Sequence, residues 1–278
     1  MKLKMLNVFV LLVFLWGVVA VFPTRMNAVS ENTIRTYNIA GQAVFTLLKG
    51  IIQGKVKSFK DVGKSLLYGS LSGFGFYESK KMIGNGHITA GVMLANLSAS
   101  ISENVSHGDH PLSYLGYTVG PLRFRVATPF AKKPQAIINI ATSPKDVAFF
   151  FISLKNSGKI LFRNGLLAFE AQEATIENKN ARGWTLGMYP TVVRDMPEHV
   201  FRHEAIHVVQ DLQMMSICPA PFLYFQHDND EKTSLLRFTG FKLNLLSIAN
   251  NLTFNNQSYN KQWYEIESYF FASPKITE

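Results

Sequence analysis

Residues Met5 to Phe22 are uncharged and almost wholly apolar, with Lys2 and Lys4 in front and Arg25 behind. Eighteen helical residues rising about 1.5 Å each span roughly 27 Å, enough to cross a bilayer. The same layout suits a secretory signal, with Val18-Val19-Ala20 as its cleavage site. Residues 1–28 are therefore expected to be a signal peptide or a membrane anchor, a transmembrane helix in the second case. The rest of the chain is then exported or membrane-anchored, on the periplasmic or extracellular side. No later run is long enough to cross. Val147 to Leu154 suits a buried strand or a short core helix.

From about Asn32 to Val105 the apolar positions recur at three- and four-residue steps. Ala43, Val44, Leu47, Leu48 and Ile51 form one set, and Leu66, Leu67, Leu71 and Phe74 another. Gly63, Gly69, Gly73 and Gly75 punctuate the second set and permit close helix packing, while Lys64, Glu78, Lys80 and Lys81 make it a soluble or interfacial element. The Gly84-Asn85-Gly86 turn separates this helix from an apolar one over Ile88 to Ile101.

Between Leu112 and Arg194 the period shortens to two. Leu122-Arg123-Phe124-Arg125-Val126 alternates strictly, and Ala136 to Ile140 is β-rich. Asn164-Gly165 joins Lys159–Phe162 to Leu166–Phe169 with the turn chemistry of a hairpin. Trp184 to Val193 is a further strand, interrupted by Gly187 and Pro190, and the proline places it at an edge. Helical pattern returns from Pro197 to the end. The expected fold is α+β: a helical region over 29–110, then a second region over 111–278 with a central antiparallel sheet and C-terminal helices.

The chain has 278 residues, 47% hydrophobic and 17% charged, which excludes a disordered or fibrous protein. Its one cysteine, Cys218, excludes a disulfide scaffold and a cysteine-rich zinc module, and is simplest as a buried thiol. The net charge of +9 is uneven: 16 basic against 6 acidic residues in 1–150, then 12 against 13. Without a helix-turn-helix, zinc-finger or RNP-like pattern, that basicity does not indicate a nucleic-acid partner. Lys49, Lys55, Lys57, Lys60 and Lys64 suit either an anionic membrane surface or a solvated helix face.

The chemistry lies in Arg202-His203-Glu204-Ala205-Ile206-His207, a His-Glu-x-x-His sequence. Asp195 with Glu198 has the spacing of a capping box, and Pro197 falls in the first turn, so the motif sits about two turns into a helix. Residues four apart share a face, so His203 and His207 can hold one Zn²⁺. Glu204, beside the first ligand, is placed to act as general base on a metal-bound water. A third protein ligand is required, and the metzincin positions for Gly and His are here Gln210 and Gln213.

Downstream, Trp263-Tyr264-Glu265-Ile266-Glu267-Ser268-Tyr269 resembles the Glu-bearing helix of the gluzincin zinc metallopeptidases, with Ser268 in place of the family's usual Ala and Tyr269 in place of its usual acidic residue. The resemblance covers roughly Gly183 to Ala272 and includes Thr185-Leu186-Gly187 and His-Glu-x-x-His-x-x-Gln. It implies a zincin-like metallohydrolase over 111–278, Glu265 as third zinc ligand with Glu267 as fallback, and a peptide or protein substrate lying along the edge strand.

Asp211 and Gln210 are candidates to orient the histidines, and Tyr264, Tyr269 and His227 to stabilise an oxyanion. His199 is expected to face solvent. His107, Asp109 and His110 are expected to be a polar loop rather than a second metal site. The alternative to a peptidase is a membrane-surface binding or assembly protein with a structural or inactive zinc site, held to the membrane by its N-terminal segment. The sites Asn96, Asn104, Asn251 and Asn256 carry the glycosylation pattern, which matters only in a eukaryotic secretory pathway.

Overall fold

The structure, a computed structural model, describes residues 30–132, 136–171, 183–214, 216–218, 234–243 and 263–272. Three helices come first: α1 (Glu31–Ile52), α2 (Phe59–Gly84) and α3 (Ile88–Ser106). Ser30 caps α1 by accepting from the Thr33 amide, and Ser58 with Asp61 forms a full capping box on α2. The membrane-spanning helix expected from the sequence is corrected here: among the described residues no helix is long and apolar enough to cross a membrane. Residues 5–22, on which that expectation fell, lie outside the described ones.

The helices pack as successive antiparallel neighbours, and the glycines of α2 make this possible. A Cβ on Gly73 would lie 2.3 Å from the Asn38 carbonyl oxygen, and one on Gly69 2.7 Å from the Ala43 Cα. Both obstacles are backbone, so the helices would have to part. Gly73→Ala is accordingly expected to cost about 1–3 kcal/mol in urea unfolding, although helix propensity alone favours alanine by about 1 kcal/mol. A stabilised variant would show that the contact is not close.

Two sheets follow. In the first, β1 (Tyr114–Val119), β2 (Leu122–Ala127) and β3 (Ala136–Thr142) are joined by β9 (Ser234–Leu243) and β8 (Ser216–Cys218) in the order β1-β2-β3-β9-β8. In the second, β4 (Ser157–Arg163), β5 (Leu166–Ala171), β6 (Gly183–Leu186) and β7 (Tyr189–Val193) lie in the order β4-β5-β7-β6. The fold is thus α+β, with sheets that are antiparallel apart from the pairs β3·β9 and β5·β7. The expected hairpin is β4–β5, with Asn164 and Gly165 both at positive φ as a type I′ turn requires.

Four expectations are revised. Trp184 to Val193 is two strands, reversed at Gly187 (φ +59), and β6 rather than the proline-bearing β7 is the edge. Pro190 faces Thr185 of β6, and pairing with β5 begins at Thr191, so the missing N–H breaks no ladder. Val147–Leu154 belongs to α4 (Pro144–Lys155), capped by Ser143, whose Phe151, Ile152 and Leu154 are exposed rather than in the core. The stretch after α5 (Glu198–Met214) is not continuously helical, since β8 and β9 precede α6 (Trp263–Ala272). Finally Asp195 does not cap α5: it turns the chain at φ +60, and Glu198 pairs with Arg163 of β4.

The strict alternation of β2 is real, but its polarity is inverted. Arg123 is 0% exposed and Arg125 is buried, both facing α3, whereas Leu122 and Val126 face outward. α5 lies at the centre of the apolar core, its Phe201, Ala205, Ile206, Val209 and Leu212 packed with Phe76 and Ile83 of α2, Val92 of α3, Ala168 of β5 and Ala272 of α6.

Candidate metal centre

Burying that apolar face fixes the rotation of α5, and with it the direction of the opposite face, which carries His203 and His207 toward α6. The Nε2 atoms of the two histidines lie 3.1 Å apart. Glu265, in the first turn of α6, places Oε2 3.3 Å from His203 Nε2 and Oε1 3.3 Å from His207 Nε2. Tetrahedral bonds of 2.0–2.2 Å separate ligand atoms by about 3.3–3.6 Å, close to these spacings, although each histidine meets a different oxygen of Glu265. His203, His207 and Glu265 form a group that can hold a metal ion, and it is the one such group among the described residues. Its donors are two imidazoles and a carboxylate, with no thiolate. Side-chain exposures of 12%, 15% and 6% leave the histidine side open to a small molecule.

Glu204 is buried against β6. Thr185 Oγ1 donates to its Oε2 at 2.7 Å and lies 3.1 Å from its backbone oxygen. Gly183 lets the strand approach, for a Cβ there would sit 3.1 Å from Glu204 Oε1. Burial pushes the Glu204 carboxyl above its ordinary range, opposed in part by His207 and Thr185. Burial alone would lower His207, but its contact with Glu265 and the charges of Glu204 and Glu265 hold it above the usual imidazole value.

Glu267, the fallback ligand, points the other way. Its Oε2 accepts from Lys80 Nζ at 2.8 Å and from Gln210 Nε2 at 2.8 Å, and its Oε1 from Asn38 Nδ2 at 2.6 Å. Gln210 places Oε1 2.8 Å from His207 Nδ1, as the sequence suggested it could. Asp211 instead pairs with Lys145 of α4 at 2.8 Å. Tyr269 stands beside His203 with ring centroids 4.6 Å apart. His227, and the side chains of Tyr264 and Cys218, lie outside the described ones, as do Asn251 and Asn256. His199 is half-buried.

His107, Asp109 and His110 do not converge. His107 Nδ1 meets the Glu103 carbonyl at 2.7 Å, His110 stacks on Phe130, and the Asp109 backbone accepts from Lys64. Lys49 of the lysine series is buried, lying over the Phe45 ring, while Lys55, Lys57 and Lys60 are exposed. Sequence reasoning missed Asn38 and Lys80, which reach the centre from α1 and α2. No family model, curated protein or solved structure matches the chain.

Proposed function

We propose that the protein is a zinc-dependent hydrolase of the gluzincin kind, most simply a peptidase. The reading is carried by one observation: two histidine Nε2 atoms and the Glu265 carboxylate converge beside a buried Glu204 and an edge strand. His203, His207 and Glu265 would hold the ion. Bound there, zinc supplies Lewis acidity, making a water acidic and polarising a carbonyl. Glu204 would take the proton of the attacking water on its carboxylate and return it to the leaving amine. Thr185 keeps that carboxylate anchored by one oxygen.

A peptide can lie against β6, which among the described residues pairs only with β7. Backbone pairing there holds an extended chain whatever its side chains. Tyr269, beside His203 and half exposed, is placed to donate to the oxygen that becomes negative.

The test is metal analysis of the full chain and of Glu265→Ala after dialysis. About one zinc per chain is expected in the first and loss or marked weakening in the second. No zinc in the wild type would overturn the reading, and zinc indifferent to the substitution would remove Glu265 as a ligand.

A further inference from the structure

We propose that the buried Lys80–Glu267 pair, acting through Gln210, dictates which ring nitrogen of His207 carries the proton and so presents Nε2 to the metal position. Lys80, Glu267 and Gln210 are then positioning residues, and the helical layer of α1 and α2 is part of the centre. The metal half of this inference rests on the reading above, whereas the proton half does not.

The polarity of the chain of contacts follows from charge alone. Lys80 is 1% exposed, and its Nζ faces three acceptors: Asn38 Oδ1 at 2.8 Å, Gln213 Oε1 at 2.7 Å and Glu267 Oε2 at 2.8 Å. Three acceptors take three donors, which is an ammonium. Glu267 beside it is a carboxylate and only accepts, so both amides that touch it, Asn38 and Gln210, must turn their NH₂ groups toward it. With the Gln210 nitrogen turned toward Glu267, its carbonyl oxygen is the atom that faces His207 Nδ1, at 2.8 Å. A carbonyl cannot donate, so Nδ1 must carry one hydrogen, and Nε2, which faces His203 and Glu265, is the nitrogen left bare when the ring is neutral. Ser268 Oγ, 3.4 Å from the same Nδ1, can accept as well and does not disturb the order.

A neutral imidazole chooses between its two nitrogens by the hydrogen bond the other one makes. Here that choice is referred back through one amide to an ion pair. Water competes poorly for it, since Gln210, Glu267 and Lys80 are all buried. The pair costs desolvation that an apolar pair would not, which is reasonable where its polarity is used.

The experiment is long-range ¹H–¹⁵N NMR of the ¹⁵N-labelled, metal-free full chain at about pH 9, above the imidazole range. His207 is expected with hydrogen on Nδ1 and a bare Nε2. Gln210→Leu leaves the ion pair in place, and should turn His207 into a mixture of tautomers and weaken zinc binding by about 10–100-fold in chelator competition. Glu267→Gln, which can donate as well as accept, should give the same mixture. If it fails to fold, Gln210→Leu carries the test alone. A wild-type His207 with hydrogen on Nε2, or a Gln210→Leu protein that keeps both tautomer and affinity, would overturn the inference. The nitrogen shifts are read without metal, so a wild type that binds no zinc would sink the hydrolase reading and leave the relay judged on the shifts.

Discussion

Glu204→Gln should lower hydrolysis of a mixed peptide substrate by about 10²–10⁴-fold while about one zinc per chain remains bound. The amide matches the carboxylate in shape and can still accept from Thr185, so the contact that positions it survives. What it loses is the capacity to take a proton from water and return it. Burial opposes ionisation of Glu204, so the substitution relieves a desolvated charge and the melting temperature of the metal-free protein should not fall. Measuring zinc, melting temperature and turnover on one preparation separates a missing base from a broken site. Full turnover in the variant would remove Glu204 as the base, and loss of zinc would make its role structural.

How much of this centre the chain displays depends on how local each contact is. His203 and His207 are four residues apart on a helix, and helical geometry alone puts them on one face. Gln210, one turn further, is visible for the same reason. Glu265 and Glu267 differ by about 200° on α6, so one must face away from the other. Only packing decides which meets the histidines, and the partner that decides it is remote: Lys80 stands 187 positions from Glu267. Its neighbour Lys81 is the same residue type and pairs with Glu31 at the surface. Nothing in the Lys-Lys dipeptide shows which of the two is buried; about 100° of rotation on α2 does.

The same distinction runs through the fold. The Asn164-Gly165 hairpin is legible because the turn needs two positive φ angles and this pair supplies them. The capping role given to Asp195 is local in form too, yet the chain spends that residue on turning out of β7. Strand β9 is paired with its predecessor β8 and with β3, which is far off in sequence, so its place in the sheet is a tertiary matter that helical periodicity could not disclose. For β2, alternation reveals a strand but not which face is inside. The usual rule puts leucine and valine inward, and here arginine wins because α3 and β1 together offer the Arg123 guanidinium its acceptors.

That set leads to the largest stability effect expected in the molecule: Glu103→Gln should destabilise the fold by about 3–5 kcal/mol, roughly a fifth or more of what a domain of this kind commonly has. Arg123 Nε lies 2.8 and 3.0 Å from the two Glu103 oxygens, and Arg125 Nε 3.6 Å from one of them. The rest of the Arg123 guanidinium donates to Asn96, Thr118 and Ser100, while Gly116 leaves room for it above β1, since a Cβ there would lie 2.6 Å from Nη2. These neighbours are neutral, so Glu103 is the counter-charge, and burial, which raises its pKa, is outweighed by Arg123, Arg125 and Lys49, which hold it below the ordinary carboxylate value. The sign follows: a depressed carboxylate stabilises the fold above its ordinary pKa and ceases to do so as pH falls through the depressed one. The gap between wild type and Glu103→Gln in urea unfolding should therefore be widest near neutral pH and close in strong acid. Glu103→Leu with Arg123→Met should recover part of the loss, because Arg123 is no longer buried without its partner, whereas Arg125 still lacks its counter-charge. A single-variant cost under about 1 kcal/mol, or a gap that widens in acid, would mean that the arginines are held by their neutral partners and that the inverted face of β2 does not depend on the carboxylate.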